Sequence, residues 1–319
     1  MSFDLLPLEL IYLILDYLNN KELISLSETS KLNNKKIHDY GFRRIKLKNE
    51  KQFESFKLIT YKTNFQNIEL VINLLKFEQL ITMKNIDIPT NLIILFSTLL
   101  NIEILNLTNN KLTNMESSQK FVTSQTFIML QCLTNLKILY LSFNEITNIY
   151  PLQNLIKLQK LYLSSNQITN IKPLKDLITL KTLHLSENQI TNIEPLQNLI
   201  KLERLYLSRN QITNIKPLQN LVNLKILYLS ENQITNIEPL QNLTKLERLY
   251  LCFNQIKNIE PLKNLIKLKK LILCYNQIIN IEPLKHLTEL KKLNLDSNRK
   301  NYLDIQLLKN TLDNCLIFT

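Results

Sequence analysis

Residues 158–179 read LQKLYLSSNQITNIKPLKDLIT, and residues 180–201 repeat the pattern as LKTLHLSENQITNIEPLQNLIK. The unit is 22 residues long and has the form LxxLxLxxNxIxxIxPLxxLxx. Its asparagine recurs without a slip at Asn144, Asn166, Asn188, Asn210, Asn232, Asn254, Asn276 and Asn298. A fixed period of this length is typical of a repeat solenoid, in which each unit buries its apolar side only against its neighbours.

Each column of the unit predicts a structural element. In the unit 158–179, the alternation of Leu161, Tyr162 and Leu163 predicts a short strand with its leucines directed inward. Asn166 can bond backbone groups of adjacent turns at the bend that follows the strand. Pro173 suits the first position of a helical turn on the opposite, convex side. We therefore expect one parallel strand and one helical turn from every repeat.

This pattern resembles the leucine-rich repeat, in the 22-residue class found in internalins. The resemblance implies an α/β fold, a leucine-rich repeat solenoid with a parallel β-sheet on its concave face. It assigns residues 133–298 to regular repeats and residues 41–132 to degenerate repeats with an insertion near 115–127. Residues 299–319 are expected to form a C-terminal cap.

Several segments outside the regular repeats are candidates for particular elements. Residues 45–47 and 68–70 have the apolar pattern of early strands. Near the C-terminus, residues 302–312 are expected to form a final helix and residues 315–318 a capping strand. The sequence thus predicts that the sheet extends on both sides of the regular repeats.

Residues 1–40 do not follow the 22-residue period and predict a small helical domain. Leu10, Ile11, Ile14, Leu15 and Leu18 recur at helical spacing. The opening string LPLEL at 6–10, this spacing and the later Ser-Lys at 30–31 together resemble the F-box. The alternative, a helical cap that only closes the solenoid, remains open.

The F-box resemblance implies a partner and a set of contact residues. F-boxes bind the Skp adaptor of cullin-based ubiquitin ligases, and an F-box followed by leucine-rich repeats is the architecture of substrate receptors. The residues that match the adaptor-binding positions are Leu6, Pro7, Ile14, Leu18, Leu23 and Leu26. The resemblance therefore predicts binding to a Skp-type adaptor and, through it, to a cullin.

The concave face is the candidate site for a protein substrate. The residue between the two strand leucines points away from the core, and it is aromatic in six successive repeats. These residues are Tyr140, Tyr162, His184, Tyr206, Tyr228 and Tyr250. We expect an exposed stripe about 24 Å long, since parallel strands lie about 4.8 Å apart. Arg204 and Arg248 flank the stripe and would suit an acidic partner, unless the stripe is a relic of duplication and its basic flank only a solvated edge.

Composition argues against catalysis. The chain has one glycine, so it lacks the backbone positions without a Cβ that phosphate-binding loops need. With four scattered cysteines and three histidines, we expect no metal site, no cofactor and no catalytic residues. Cys252 and Cys274 stand in a serine column on adjacent strands. They could come within disulfide reach, but we expect unbonded serine-to-cysteine drift in a reducing compartment.

The formal net charge of +12 does not identify a nucleic-acid partner. Only six of the 39 basic residues are arginine, and the abundance of Lys, Asn, Ile and Tyr matches an AT-rich genome. Because codon bias accounts for the lysines, we do not expect nucleic acid among the partners. No run of 18 apolar residues occurs, so we do not expect a membrane among them either. The N-terminus does not have the pattern of a secretory signal, so we expect a protein of the cytoplasm or nucleus that is not secreted.

The sequence as a whole predicts a non-enzymatic receptor. The first forty residues would bind the adaptor, and the concave face would bind a protein substrate for a cullin–RING ubiquitin ligase. The alternative is a leucine-rich repeat interaction scaffold with no role in ubiquitin transfer. In either case we expect the chain to be monomeric on its own.

Overall fold

The computed structural model describes residues 44–47, 69–72, 103–109, 130–299 and 301–319. The chain divides into two compact units, Met1–Tyr140 and Leu141–Thr319, and each is described by itself. The expected adaptor-binding residues and the 115–127 insertion lie outside the described residues. The boundaries expected at residues 40, 132 and 298 stay predictions.

The first unit contains four parallel strands in chain order. They are β1 (Arg44–Leu47), β2 (Glu69–Ile72), β3 (Ile104–Asn106) and β4 (Ile138–Tyr140). A 3₁₀ turn at Leu130–Cys132 precedes β4. The strands expected near residues 45–47 and 68–70 are therefore present, the second of them two residues longer at its C-terminal end.

The second unit contains eight further parallel strands, one per repeat and one at the C-terminus. They are β5 (Lys160–Tyr162), β6 (Thr182–His184), β7 (Arg204–Tyr206), β8 (Ile226–Tyr228), β9 (Arg248–Tyr250), β10 (Lys270–Ile272), β11 (Lys292–Asn294) and β12 (Leu316–Phe318). Neighbouring repeat strands pair in a register of 22 residues, so that Leu183 lies between Leu161 and Leu205. The predicted parallel solenoid is confirmed.

The side opposite the strands is built from 3₁₀ turns. Their ranges are Tyr150–Leu152, Lys172–Leu174, Glu194–Leu196, Lys216–Leu218, Glu238–Leu240, Glu260–Leu262 and Glu282–His286. Proline is the second residue of each turn, one position later than expected. A second asparagine of each repeat bonds to the first residue of the turn. For example, the side chain of Asn170 accepts a hydrogen bond of 2.9 Å from the backbone N–H of Lys172.

The core is a stack of identical leucine and isoleucine layers. In one repeat of the second unit, Leu161, Leu163, Ile168, Leu174 and Leu177 are all fully buried, and the corresponding residues of the next repeats are buried equally. Burying one such side chain stabilises the fold by about 1.5–3 kcal/mol. Because every layer rests on its neighbours, this stabilisation exists only in the stack.

The repeated asparagine forms a buried ladder that joins successive turns. The side-chain amide of Asn188 donates to the carbonyl oxygens of Leu163 and Leu185, each at 3.0 Å. Its oxygen accepts from the backbone N–H of Ile168 at 2.9 Å. The amide thus satisfies backbone groups of its own turn and of the preceding one, at the bend where the sequence placed it.

The C-terminal segment closes the second unit. Helix α1 spans Tyr302–Thr311, and the side chain of Asn301 caps it by accepting from the backbone N–H of Leu303 at 3.1 Å. β12 then pairs with β11 at the end of the sheet. The helix and strand expected from the sequence are both present.

Candidate protein-binding face

The predicted aromatic stripe is a continuous row of contacting rings in the second unit, in which stacked and tilted contacts alternate. From Tyr162 to Tyr250, each strand contributes its third residue. The centroid distances are 4.5 Å for Tyr162–His184, 3.8 Å for His184–Tyr206, 4.7 Å for Tyr206–Tyr228 and 3.9 Å for Tyr228–Tyr250. Tyr140 occupies the same position of β4 in the first unit and is half-buried.

Stacking covers the ring faces of the stripe, so the stripe is half-buried rather than exposed as expected. Every interior ring has an aromatic neighbour on each side. Burial lowers the pKa of His184 to about 4, so this side chain is neutral near pH 7. Burial, followed by a hydrogen bond with Tyr250, raises the pKa of Tyr228 to about 12. The stripe therefore presents neutral ring edges rather than open faces.

Basic residues begin the strands beside the stripe. Arg204 and Arg248 are exposed at the first positions of β7 and β9. At the same position of β10, the ammonium of Lys270 lies 5.0 Å from the ring centroid of Tyr250, a distance at which a cation is attracted to an aromatic ring. The residues expected to bind an acidic partner thus share one face with the aromatic rings.

The acidic residues next to this basic column are already paired. Glu203 accepts from the ammonium of Lys225 at 2.9 Å, and Glu247 accepts from that of Lys269 at 3.1 Å. The hydrogen bond from Lys225 is the main cause that lowers the pKa of Glu203. These exposed pairs add little stability, but they partly neutralise the carboxylates that would repel an acidic partner.

A column with left-handed backbone follows each strand, and the sequence did not reveal it. The residue before each repeat asparagine has a positive φ of 53–59° in Phe143, Ser165, Glu187, Arg209, Glu231, Phe253, Tyr275 and Ser297. Glycine is the usual residue in this conformation, but the chain has almost none. A column with such varied side chains gave no signal in the sequence. We call it the left-handed column.

In the middle repeats, the left-handed column forms an ion-pair ladder. Arg209 donates to Glu187 at 3.0 Å and to Glu231 at 2.9 Å, and the hydroxyl of Ser165 donates to Glu187 at 2.8 Å. These contacts raise the pKa of Arg209, mainly through the hydrogen bond with Glu231. The polar side chains of this region thus bind one another.

In the last repeats, the same column becomes aromatic. The rings of Phe253 and Tyr275 stack at a centroid distance of 4.2 Å with 9° between their planes. Phe253 is 49 % exposed and Tyr275 is 51 % exposed. We call these two residues the aromatic pair. Unlike the stripe, the pair leaves large apolar surface in contact with solvent.

A disulfide lies directly before the aromatic pair. Cys252 and Cys274 are bonded, with their Cα atoms 4.7 Å apart, so the expectation of unbonded serine-to-cysteine drift is wrong. The 22-residue register places the two residues on adjacent turns, which brings the cysteines within bonding distance. The cross-link joins the two repeats that carry Phe253 and Tyr275.

Among the described residues, no cluster of His, Cys, Asp and Glu could hold a metal ion. The described part of the chain also contains no helix that is long and apolar enough to span a membrane. The serine column beside the stripe has one buried hydroxyl without a hydrogen-bond partner, that of Ser208.

Comparison with family models identifies both parts of the chain. A leucine-rich repeat model of two copies matches residues 134–176, 178–220 and 222–264, and a second leucine-rich repeat model matches residues 244–299. The F-box domain model matches residues 3–44. The chain therefore belongs to the F-box/leucine-rich repeat proteins, and its architecture is that of a protein-interaction module.

Solved structures support the assignment of the solenoid. Internalin C2 from Listeria monocytogenes is 38 % identical with a TM-score of 0.57, over 63 % of this chain and 83 % of that one. A leucine-rich repeat protein of Leptospira interrogans shares the fold, with 24 % identity and a TM-score of 0.58 over 82 % of this chain and 74 % of that one. No curated protein matches the chain.

One similar structure contains a bound peptide. The Arabidopsis receptor kinase HAESA, in complex with the peptide hormone IDA and the co-receptor SERK1, is 25 % identical with a TM-score of 0.55. The match covers 65 % of this chain and 36 % of that chain. The similarity is confined to part of the receptor.

Proposed function

We propose that the chain is the substrate receptor of a cullin–RING ubiquitin ligase. Its N-terminal segment binds a Skp-type adaptor and through it a cullin, and the concave face of the repeats binds a protein substrate. The observation that carries the proposal is the F-box match at residues 3–44, followed by leucine-rich repeats. The chain itself contributes binding and positioning, without catalysis or a cofactor.

The geometry of the second unit supports the substrate-binding half of this proposal. The concave face offers a basic column beside aromatic rings, with neighbouring carboxylates paired to lysines. Such a combination suits contact with another protein, because aromatic and arginine side chains carry much of the energy of interfaces. The alternative function, a scaffold without a ligase role, would use the same face but not the F-box.

The proposal places the chain in the cytoplasm or nucleus, where cullin-based ligases act. Thiol pools there favour reduced cysteines. The proposed function therefore includes a state in which Cys252 and Cys274 are thiols at positions that serine occupies in other repeats. Since neither sulfur belongs to the adaptor-binding segment, adaptor binding is expected in both states.

The test is co-purification with a Skp-type adaptor and a cullin. The intact chain should capture both, and a chain lacking residues 1–40 should capture neither while its circular dichroism spectrum keeps the strand signal of the repeats. A matched control carries Arg204→Glu and Arg248→Glu, which lie on the concave face and should leave adaptor capture unchanged. Capture of adaptor by the truncated chain would contradict the F-box role, and the scaffold function would then be preferred.

A further inference from the structure

The aromatic rings of the concave face fall into two classes that differ in the surface they offer. In the stripe, every interior ring is covered by rings on both sides. In the aromatic pair, each ring has one stacked partner and about half of each residue is exposed. The residue after Tyr275 in the left-handed column is Ser297, which is too small to cover the outer face of the ring. A partner therefore finds open aromatic faces at Phe253 and Tyr275 rather than in the middle of the stripe.

Folding does not explain why aromatic residues occupy these two positions. Both have a left-handed backbone, with φ of 54° at Phe253 and 53° at Tyr275. A bulky side chain is unfavourable there, and the other regular repeats hold Ser, Glu or Arg at this position, with one further aromatic residue at Phe143. An exposed side chain in a costly conformation points to a role outside the fold.

A comparison of the duplicated repeats singles out the same residues. Residues 210–253 match residues 166–209 at 35 of 44 positions, as expected after duplication. The two copies differ at their last two positions, which are Ser208-Arg209 in one copy and Cys252-Phe253 in the other. The next repeat has Cys274-Tyr275 at the same place. In these two repeats a cysteine precedes the aromatic residue, whereas an earlier repeat has Ser142-Phe143, and the leucine and asparagine columns are the same in all of them.

The charge around the aromatic pair favours an acidic partner. The three strands β9, β10 and β11 begin with Arg248, Lys270 and Lys292. Glu231, the nearest carboxylate in the left-handed column, is bonded to Arg209. Asp296 is the remaining carboxylate beside Tyr275 in these repeats. Three cations therefore lie where these strands begin, with Lys270 and Lys292 over the rings of Tyr250 and Phe318, against one acidic group that is not in a salt bridge.

We propose that Phe253 and Tyr275 form the anchoring subsite of the concave face, and that they receive an aromatic side chain from an acidic segment of the partner protein. The partner ring stacks on the pair, and its acidic neighbours lie over Arg248, Lys270 and Lys292. The pairing of β9 with β10 holds the two repeats together, and the Cys252–Cys274 disulfide adds a second link when it is formed, so the subsite exists before binding. This inference rests on the proposed function, because it specifies the class of substrate segment that the receptor recognises.

The experiment uses the full chain and three defined polymers: a random copolymer of Glu and Tyr, poly-Glu, and a random copolymer of Lys and Tyr. Binding of each labelled polymer is followed by fluorescence anisotropy. We expect the Glu–Tyr copolymer to bind more tightly than poly-Glu and the Lys–Tyr copolymer not to bind. The double variant Phe253→Ser with Tyr275→Ser should weaken binding of the Glu–Tyr copolymer by at least about tenfold. Its affinity for poly-Glu should change by less than about twofold.

Serine is a conservative replacement here, because Ser165 and Ser297 already occupy the left-handed column. The matched control is Phe143→Ser, which removes an exposed ring from the same column in another repeat and should leave the affinity unchanged. Equal loss in the control and the double variant would overturn the subsite. So would equal affinity for poly-Glu and the Glu–Tyr copolymer.

Two other outcomes identify a different occupant and would also overturn the proposal. Tight binding of the Lys–Tyr copolymer would indicate a basic partner. Binding of oligo-dT that depends on Phe253 and Tyr275 would indicate single-stranded nucleic acid, whose bases stack on aromatic residues beside cations. Adaptor capture is measured on the same variants. If the double variant keeps both adaptor capture and binding of the Glu–Tyr copolymer, the subsite is refuted and the ligase role is not. If the intact chain does not capture the adaptor, the ligase role is refuted and the subsite is not.

Discussion

The middle repeats and the last two regular repeats of the second unit have the same core but different concave surfaces. Leu205 in β7 and Leu271 in β10 are both fully buried, and the asparagine ladder runs through both regions with the same hydrogen bonds. On the surface, the middle repeats carry the Glu187–Arg209–Glu231 ladder. The last repeats carry a disulfide and an exposed aromatic pair.

This difference separates what the fold requires from what it tolerates. Inward columns cannot vary, because a changed leucine or asparagine would leave a cavity or unpaired backbone groups in every neighbouring turn. Outward columns have no such constraint. In the middle repeats the charged groups of the left-handed column pair with one another, whereas in the last repeats the apolar surface of the aromatic pair remains open. The second arrangement is the one that a binding partner would complete.

Core substitutions should be the most damaging, and their effects should be equal in the two regions. Leu205→Ala and Leu271→Ala each remove a fully buried side chain and leave a cavity. We expect each to lower the free energy of unfolding by about 2–5 kcal/mol, measured by urea denaturation. A large difference between the two variants would show that the cores are not equivalent, and the comparison drawn above would fail.

Loss of the cross-link should affect only the last repeats. The variant Cys252→Ser with Cys274→Ser opens a loop of 22 residues, and chain entropy predicts a loss of about 3 kcal/mol in unfolding free energy. The measurement is denaturation with and without reductant. Reductant should destabilise the natural chain by a similar amount and leave the double variant unchanged. Equal stability of both proteins without reductant would contradict a stabilising cross-link.

The sequence predicted the inward columns well and the outward columns poorly. The leucine spacing and the asparagine ladder follow from the 22-residue period, which a single side chain cannot change. The positions of Leu183 in the core and of Asn188 at the bend could therefore be predicted from the sequence. The stacking of Tyr206 on His184 depends on ring orientation, which the spacing does not determine. The positive φ of Phe253 was hidden for another reason: in the absence of glycine, no residue type marked the left-handed column.

The cysteines show a further limit of the sequence. The repeat period predicts that Cys252 and Cys274 are neighbours, but whether they are bonded depends on the redox environment, which the sequence does not determine. The F-box residues are a different case. The resemblance of the N-terminal segment to the F-box is confirmed by the family model, which matches residues 3–44. The individual contacts of Leu6, Pro7 and the other adaptor-binding residues stay predictions.

The stripe gives the middle repeats a dependence on pH through His184. Burial lowers the pKa of His184 from 6.5 to about 4. Between these values the unfolded chain binds a proton that the folded chain does not, so stability is lost as the pH falls from about 6.5 to about 4. His184→Tyr, which restores the residue of the neighbouring repeats, should remove this part of the pH dependence.

The control for this prediction is His286→Asn, which replaces an exposed histidine of a 3₁₀ turn by the residue of the preceding repeats. Thermal unfolding is followed at several pH values from 4 to 7 for the natural chain and both variants. We expect the His184 variant alone to have a flatter profile. Equal profiles for all three proteins would show that protonation of the stripe does not affect folding.

The smallest effect concerns the left-handed column, which the two regions share. Ser297 is exposed and has a φ of 56°. A glycine there avoids the clash of the Cβ, worth about 1–2 kcal/mol, but loses about 0.5–1 kcal/mol because the unfolded chain is freer. Ser297→Gly should therefore raise the free energy of unfolding by up to about 1.5 kcal/mol. Ser164→Gly, one position before the column and without a positive φ, should lower it by about 0.5–1 kcal/mol.

Opposite signs for the two serines would establish that the backbone, and not the side chain, limits this position. If both variants were destabilised, the column would carry no strain, and the aromatic pair would lose one of the arguments for a role in binding.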